Sequence, residues 1–445
     1  MIIMKRFQLF FLGLLLVTAR PAGAVEVVNL TDAYERALNY DATLRAAEQS
    51  FAAQKEEVDK ARANFRPNLR ISATRGRSAT ESTSLIYDRT TDYYYNTQNY
   101  SIVLKQPVFN MANFALYSQS KSLAAKSEAI FLKEQSALAV RTVEAYLNVL
   151  YAGDNLDYSR AQVDAAKEQL QQAKRRFSAG YGTITEISEA QAHYDMALAA
   201  GLENNHTLEL SRRELETITG LYSETLSRLV PSRLVLAMPT PHDVEEWVGF
   251  ALDNNAEIDA ARHEVRIAEK QVDRNRAARY PAIDLLASRT FSESDNNYSI
   301  GSQYDTYAVS LQMSLPIYSG GYVSAAVRQA SAQQREAMEK KSQQERTISS
   351  RIRKFYNGIL SNIAQIRAYE QAVKSNEIAL IGTRKGYAAG LRSNVDVLNA
   401  QEKLFDSKRN LAKSRYQYLL SRILLKDAAG MLTIADIGEV NSCLK

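Results

Sequence analysis

The chain has 445 residues, of which 45% are hydrophobic, 24% charged and only one, Cys443, a cysteine. That length and apolar content are enough for a large folded core, and a lone cysteine excludes an internal disulfide framework. The net charge of +5 comes from 55 basic and 50 acidic residues. The basic residues are spread along the chain rather than gathered, so no nucleic-acid partner is expected.

Residues 1–24 read as a secretory signal. Lys5-Arg6 is the charged start, 7–17 the apolar run and Ala22-Gly23-Ala24 the small-residue cleavage site. Cleavage would remove three basic residues (Lys5, Arg6, Arg20), leaving 52 against 50 acidic. The apolar run is short for a membrane helix, and no later segment is a span of 18 apolar residues.

From residue 25 the chain is an internal duplication. Leu38-Asn39-Tyr40-Asp41-Ala42 is answered by Leu252-Asp253-Asn254-Asn255-Ala256, and Ala63-Asn64-Phe65-Arg66-Pro67 by Ala277-Ala278-Arg279-Tyr280-Pro281. Phe177-Ser178-Ala179-Gly180 is answered by Tyr387-Ala388-Ala389-Gly390. One architectural unit is used twice. The expected organisation is repeat 1 over 25–230, a proline-rich linker over 231–241, repeat 2 over 242–432 and a tail over 433–445.

Each repeat opens with a helix and continues into a hairpin bracketed by prolines, Pro67 and Pro107 in the first, Pro281 and Pro316 in the second. Leu69, Ile71 and Ala73 alternate with Asn68, Arg70, Ser72 and Thr74, and Val309, Leu311, Met313 and Leu315 alternate with polar neighbours. A period of two is the strand signal. The strands are expected to be about ten residues long, the length that crosses a bilayer as tilted barrel strands. Tyrosine-rich loops are expected over 79–96 and 292–304. Tyr87, Tyr93, Tyr94, Tyr95, Tyr298, Tyr304 and Tyr307 are candidates for an interfacial aromatic girdle.

Proline-free blocks follow each hairpin and read as long helices. Val140, Val143, Leu147 and Leu150 step by three and four. Val397, Leu404, Leu411, Tyr418 and Leu425 hold a seven-residue step, with Leu398, Phe405, Ala412 and Leu419 beside them, a seam one row wider than a two-stranded coil needs. Each block turns back on itself near Gly180-Tyr181-Gly182 or Gly390, where a left-handed helix end favours glycine. Thr183…Glu186 and Ser393…Asp396 then read as capping boxes.

Four strands cannot close a membrane barrel, since the smallest have about eight. An open edge in lipid leaves backbone groups unpaired, so several copies must combine. Two copies would give almost no lumen; three would give twelve strands and a modest pore.

At this point the chain resembles the TolC-type outer-membrane efflux and secretion channels. The resemblance rests on the duplication, on Leu315-Pro316-Ile317-Tyr318-Ser319-Gly320-Gly321, on Ala145-Tyr146-Leu147-Asn148-Val149-Leu150, and on Gly386-Tyr387-Ala388-Ala389-Gly390-Leu391-Arg392 followed by Val395-Asp396-Val397-Leu398. It implies a mainly α fold with a β-barrel portion: a homotrimer whose twelve-stranded barrel sits in outer-membrane lipid and continues as a twelve-helix tunnel across the periplasm of a Gram-negative bacterium. It also implies a periplasmic adaptor protein and an inner-membrane ABC or proton-driven pump as partners. It assigns Glu186, Tyr387 and Arg392 as tethers that hold the tip closed, and Asp396 and Asn399 to the pore constriction. The family pattern has aspartates at the positions of Asn399 and Glu186, so this constriction is expected to be less negative.

No catalytic machinery and no cofactor are expected. His193, His206, His242 and His263 have no metal-ligand spacing, and Gly180-Tyr181-Gly182 follows a helix and lacks a P-loop lysine. Two other readings compete with the channel. One is a periplasmic or extracellular coiled-coil spacer. The other is the periplasmic adaptor itself, which would use a single helical hairpin where this chain has two.

Overall fold

The computed structural model describes residues 27–295 and 301–445; the signal segment and Tyr298 lie outside the described residues. The repeat is visible in the element bounds. Helices α1 (Leu30–Tyr40) and α2 (Ala42–Ala63) recur 214 positions on as α5 (Val244–Asn254) and α6 (Ala256–Ala277). Asp41 and Asn255 occupy the same junction. Each caps the second helix of its pair, Asp41 accepting from the Leu44 amide and Asn255 from the Glu257 and Ile258 amides. A short acceptor at the N-cap satisfies amides that have no partner within the helix.

Strands β1 (Asn68–Ser84), β2 (Arg89–Asn110), β3 (Ala282–Ser294) and β4 (Ser302–Ser314) form one antiparallel sheet in the order β1-β2-β3-β4. Both outer strands keep an open edge. The register puts Leu69, Leu104, Ala287 and Val309 in one row and Ile71, Ile102, Arg289 and Tyr307 in the next. Residues paired across a ladder share a face. One face of the sheet is therefore an apolar field, and the other carries Asn68, Arg70, Ser72, Lys105 and Asp284.

Four hairpin expectations are corrected. The loop expected over 79–96 is strand: Ser78 pairs with Tyr95 and Ser84 with Arg89, leaving only 85–88 to turn. Polar residues on both faces hide the alternation, but the threonines and tyrosines among them are good strand formers. The second loop is likewise shorter than 292–304. Pro107 does not end its strand. It sits at a register shift before Phe109, which brings Phe109 opposite Ile283 and so onto the apolar face. The tyrosines do not form one belt. Tyr87 is in the turn, Tyr93 and Tyr95 pair with Thr80 and Ser78 on the polar face, and Tyr304 pairs with Ser292 there too. The apolar face is instead topped by Tyr100, Phe291 and Tyr307, with Tyr100 stacked on Phe291 at 6.1 Å. At its helical end stand Phe65, in contact with both Phe114 and Tyr117, and the exposed Tyr280, Tyr318 and Tyr322.

The long helices are α3 (Met111–Ser178), α4 (Ile184–Thr219), α7 (Tyr322–Ala388) and α8 (Asn394–Ala428). At 68 residues α3 is about 100 Å long. It packs against α2 on the strand side and α4 on the far side, while α7 packs against α6 and then α8. Each level of the protomer thus has four helical staves. The seven-residue seam is buried from Val397 through Tyr418 to Leu425.

The largest core lies at the waist, where α1, α5 and the short α9 (Ile434–Ser442) wrap the long helices. Tyr146 is fully buried there, its hydroxyl donating to the Val28 and Ser227 carbonyls at 3.0 and 3.1 Å. Tyr418 does the same for the segment before α5, lying 3.1 and 3.0 Å from the Val235 and Ala237 carbonyls and accepting from the Ala237 amide at 2.9 Å. The chain ends are tied in by isolated bridges, Val28 to Leu226 and Leu229 to Leu444.

Candidate functional site at the helix tips

Farthest from the strands, α3 turns into α4 and α7 into α8. The turns are built alike. Gly180 and Gly390 have φ of +79° and +76°, a conformation a Cβ disfavours. Beyond them the Tyr181 amide donates to the Arg176 carbonyl at 2.9 Å and the Leu391 amide to the Gly386 carbonyl at 2.8 Å. Gly182 is a close approach: a Cβ there would lie 2.9 Å from the Phe177 nitrogen.

The two caps differ. Ser393 and Asp396 form the full reciprocal box: the Asp396 carboxylate accepts from the Ser393 amide and hydroxyl, both at 2.9 Å. These donors, with the Arg392 charge behind them, hold the Asp396 carboxyl below the usual range. Thr183 accepts from the Glu186 amide at 3.2 Å, but Glu186 does not reciprocate. Glu186 points into the bundle instead, with Oε2 buried and unpartnered. This corrects the expected second box.

Tyr387 lies beside it. The ring is buried with Leu380, Val397 and Leu404, and the Arg176 guanidinium sits over it, 4.6 Å from the centroid. The Tyr387 hydroxyl and Arg176 Nε are also buried without a hydrogen-bond partner. Burial raises the tyrosine's pKa, Arg176 opposes that rise and Glu186 adds to it. Glu186 and Tyr387, which the sequence grouped, are therefore brought together, with Arg176 between the two repeats. Arg392 is not part of this cluster. It is exposed, its stem packs over Gly386, and it makes no hydrogen bond or ion pair among the described residues.

Asp396 and the exposed Asn399 lie one turn apart on the stripe of α8 that faces away from Val397 and Leu398. Behind them Asn394, almost fully buried, accepts from the Gln169 amide of α3 and reaches the Glu186 carbonyl at 3.5 Å. Sequence reading passed over Gln169, Arg176 and Asn394. Arg175-Arg176 reads as an ordinary basic pair complementing a helix C-terminus, and only the fold turns one of the two inward.

The profile of the family described as outer membrane efflux protein matches residues 33–221 and 247–431. The chain belongs to this family. Its two matched stretches follow the two repeats. The alkaline protease secretion protein AprF of Pseudomonas aeruginosa is 33% identical over 442 residues, covering 98% of this chain and 90% of AprF. The proteases secretion protein PrtF of Dickeya chrysanthemi is 31% identical, covering 96% and 93%. Among solved structures, the outer membrane protein VceC of Vibrio cholerae aligns with a TM-score of 0.76 at 21% identity, over 90% of this chain and 96% of VceC. As a family member the chain is an outer-membrane channel that extends into the periplasm. The spacer and adaptor readings fall away, because a single relative spans nearly the whole chain and both repeats at once. No described helix is long and apolar enough to cross a membrane; the sheet's apolar face is the surface suited to lipid.

Proposed function

We propose that three copies join edge to edge, β4 of one protomer beside β1 of the next, to form the outer conduit of a protein secretion system. The observation that carries this is the four-stranded sheet with both edges open and one apolar face, continued by four staves. Three such units give twelve strands and twelve helices. At the tips the order across the protomer is α4-α3-α8-α7, so α4 and α7 are the lateral edges. Each leaves apolar side chains uncovered, Met196 and Leu202 on α4, Ile378 and Ile381 on α7, as a neighbour-packed helix would.

The resting tunnel is closed at the tips. Three copies of Asp396 and Asn399 ring the constriction, favouring cations over anions. Glu186, Tyr387 and Arg392 act as tethers, with the exposed Arg392 seeking its partner on the adjacent protomer. An exposed pair made by Arg392 contributes only about 0.2–1 kcal/mol, weak enough for a periplasmic adaptor to release. Transport through the tube is passive, and an inner-membrane pump supplies the energy. Protein cargo is favoured because AprF and PrtF, each matched along almost its whole length, are protease secretion proteins by name.

Deleting the gene and comparing culture supernatants by mass spectrometry tests this reading. Loss of one or a few secreted proteins, restored by the plasmid-borne gene, is expected. An unchanged set of secreted proteins together with new drug sensitivity would move the channel to small-molecule efflux.

A further inference from the structure

The outward face of the sheet changes character with height. From the Ile283 row to the Glu293 row is ten residues, about 33 Å along the strand and about 25 Å along the membrane normal at a barrel tilt near 40°. That is the height of the hydrocarbon band of an outer-membrane barrel. Tyr100 and Phe291 lie one row below its upper limit. Arg75, opposite Gln98, lies in the limiting row, and Arg77, opposite Asn96, lies in the next outward row.

Both arginines are on the face that carries Leu69, Ile71 and Ala73, since 69 to 77 are odd positions of one regular strand. Both are exposed, and neither makes a hydrogen bond or ion pair among the described residues. Arg289, the other outward cation near this height, is already held by Asp305 at 2.9 Å. Four residues farther out, Glu81 pairs with Asp92 in the register, so the outward charge turns acidic about 13 Å beyond Arg77. The sequence of layers is apolar, aromatic, a mixed layer in which Arg75 and Arg77 on β1 stand two strands from Glu293 and Asp295, then acidic.

We propose that Arg75 and Arg77 bind the phosphate groups of the phosphorylated glycolipid in the outer leaflet. An arginine offers a planar fork of donors that matches phosphate geometry. Placed one step above an aromatic row, it meets a headgroup whose acyl chains cover the apolar rows below. The neutral Gln98 and Asn96 separate Arg75 and Arg77 from Glu293 and Asp295 on the next strand, and Asp295 is held by the Asn96 side chain at 2.7 Å, so neither carboxylate pairs with an arginine of β1. Arg70 is the internal control. It belongs to the same strand and is equally exposed, but faces the polar side with Ser72 and Lys105.

The inference uses the outer-membrane placement and is independent of how the tips gate. The test is native mass spectrometry of the purified full-length trimer in detergent, with bisphosphorylated lipid A or the same glycolipid chemically dephosphorylated. The wild-type trimer is expected to retain the phosphorylated form about tenfold better, as charge-assisted hydrogen bonds to phosphate require. The double variant Arg75→Gln/Arg77→Gln loses that preference, and Arg70→Gln keeps it. Excess inorganic phosphate leaves the lipid bound. Equal retention of the two lipids by wild type, loss of the preference in Arg70→Gln, or displacement by inorganic phosphate would each overturn the proposal. The wild-type comparison stands even where a variant fails to assemble. A trimer that inserts into bilayers but shows no phosphate preference loses this inference alone.

Discussion

The guanidinium of Arg176 lies 4.6 Å from the centre of the Tyr387 ring, joining the last turn of α3 to the last turn of α7. This contact links the two repeats near the tip. A cation held over a desolvated aromatic face contributes about 2 kcal/mol, against about 0.5–1 kcal/mol in the open. The Tyr387 hydroxyl has no partner within the protomer. Arg176→Gln is therefore expected to loosen the tip more than Tyr387→Phe, which keeps the ring and removes only an unsatisfied group. Single-channel conductance in planar bilayers reads the difference: a raised resting conductance in Arg176→Gln and a smaller rise in Tyr387→Phe. The reverse order would place the tether on the hydroxyl, through a group supplied by the neighbouring protomer.

The proposed constriction makes a prediction about ions. Asp396→Asn is expected to reduce cation selectivity, and Asn399→Asp to raise it and introduce block by multivalent cations, because three-fold symmetry triples each change. The Asp396 carboxyl is held below its ordinary value by the Ser393 amide and hydroxyl. A carboxylate with a lowered folded pKa stabilises its site above the unfolded value and loses that contribution as pH falls through the folded one. Selectivity should thus persist from neutral pH into the acid range and fall as pH passes through the lowered Asp396 pKa. Reversal potentials in a salt gradient, measured as a function of pH, check both points.

Much of this architecture was legible because its signals are periodic. The offset between Asp41 and Asn255 reproduces the helix bounds of both repeats, and the row from Val397 to Leu425 is buried as its seven-residue step requires. The outer half of the first hairpin was not legible, because Arg75, Arg77, Glu81 and Asp92 place charged groups on the face that carries Leu69 and Ile71 farther down, so polar residues fall on both faces and the alternation ends. The tip was legible by residue type but not by pairing. Nothing in Arg175-Arg176 says which side chain turns inward, and nothing in Thr183-Ile184-Thr185-Glu186 says that the acid abandons its cap. Those outcomes depend on helices more than 200 residues apart in the chain meeting at Tyr387.

The waist makes a stability prediction. Tyr146 closes the N-terminal segment onto α3 through the carbonyls of Val28 and Ser227. Tyr146→Phe fills the same space but takes the hydroxyl donor from the buried Ser227 carbonyl, while Val28 still accepts from the Ser227 amide at 3.2 Å; one stranded carbonyl costs about 1–3 kcal/mol. Tyr418→Phe removes the hydroxyl from the exposed Val235 and Ala237 segment, where Val235 still accepts from the Ala237 amide at 3.1 Å, and should cost less. Both variants are expected to assemble, with a lower temperature for loss of the heat-sensitive trimer on gels. Equal melting with wild type would mean that water replaces the lost donor.

Asp427 makes the last prediction. It lies near the C-terminus of α8, beside a cavity of about 310 Å³ that Glu257, Arg351 and Lys133 also line. Burial and then the Glu257 carboxylate push its pKa up to about 6, against the opposing pull of Arg351 and Lys133. The folded chain therefore holds this proton over a range where the unfolded chain has released it. Stability contributed by the neutral acid is full below the ordinary value of 3.8 and is lost as pH rises through about 6. The shift corresponds to at most roughly 3 kcal/mol, less for the solvent that still reaches the carboxyl. Asp427→Asn keeps the shape and removes the ionisation. It should melt higher than wild type at pH 7.5, with the advantage shrinking toward pH 5. Thermal melts of the detergent-solubilised trimer across that range decide it, and an advantage that grows on acidification would show that Asp427 is stabilised as the charged form by Arg351.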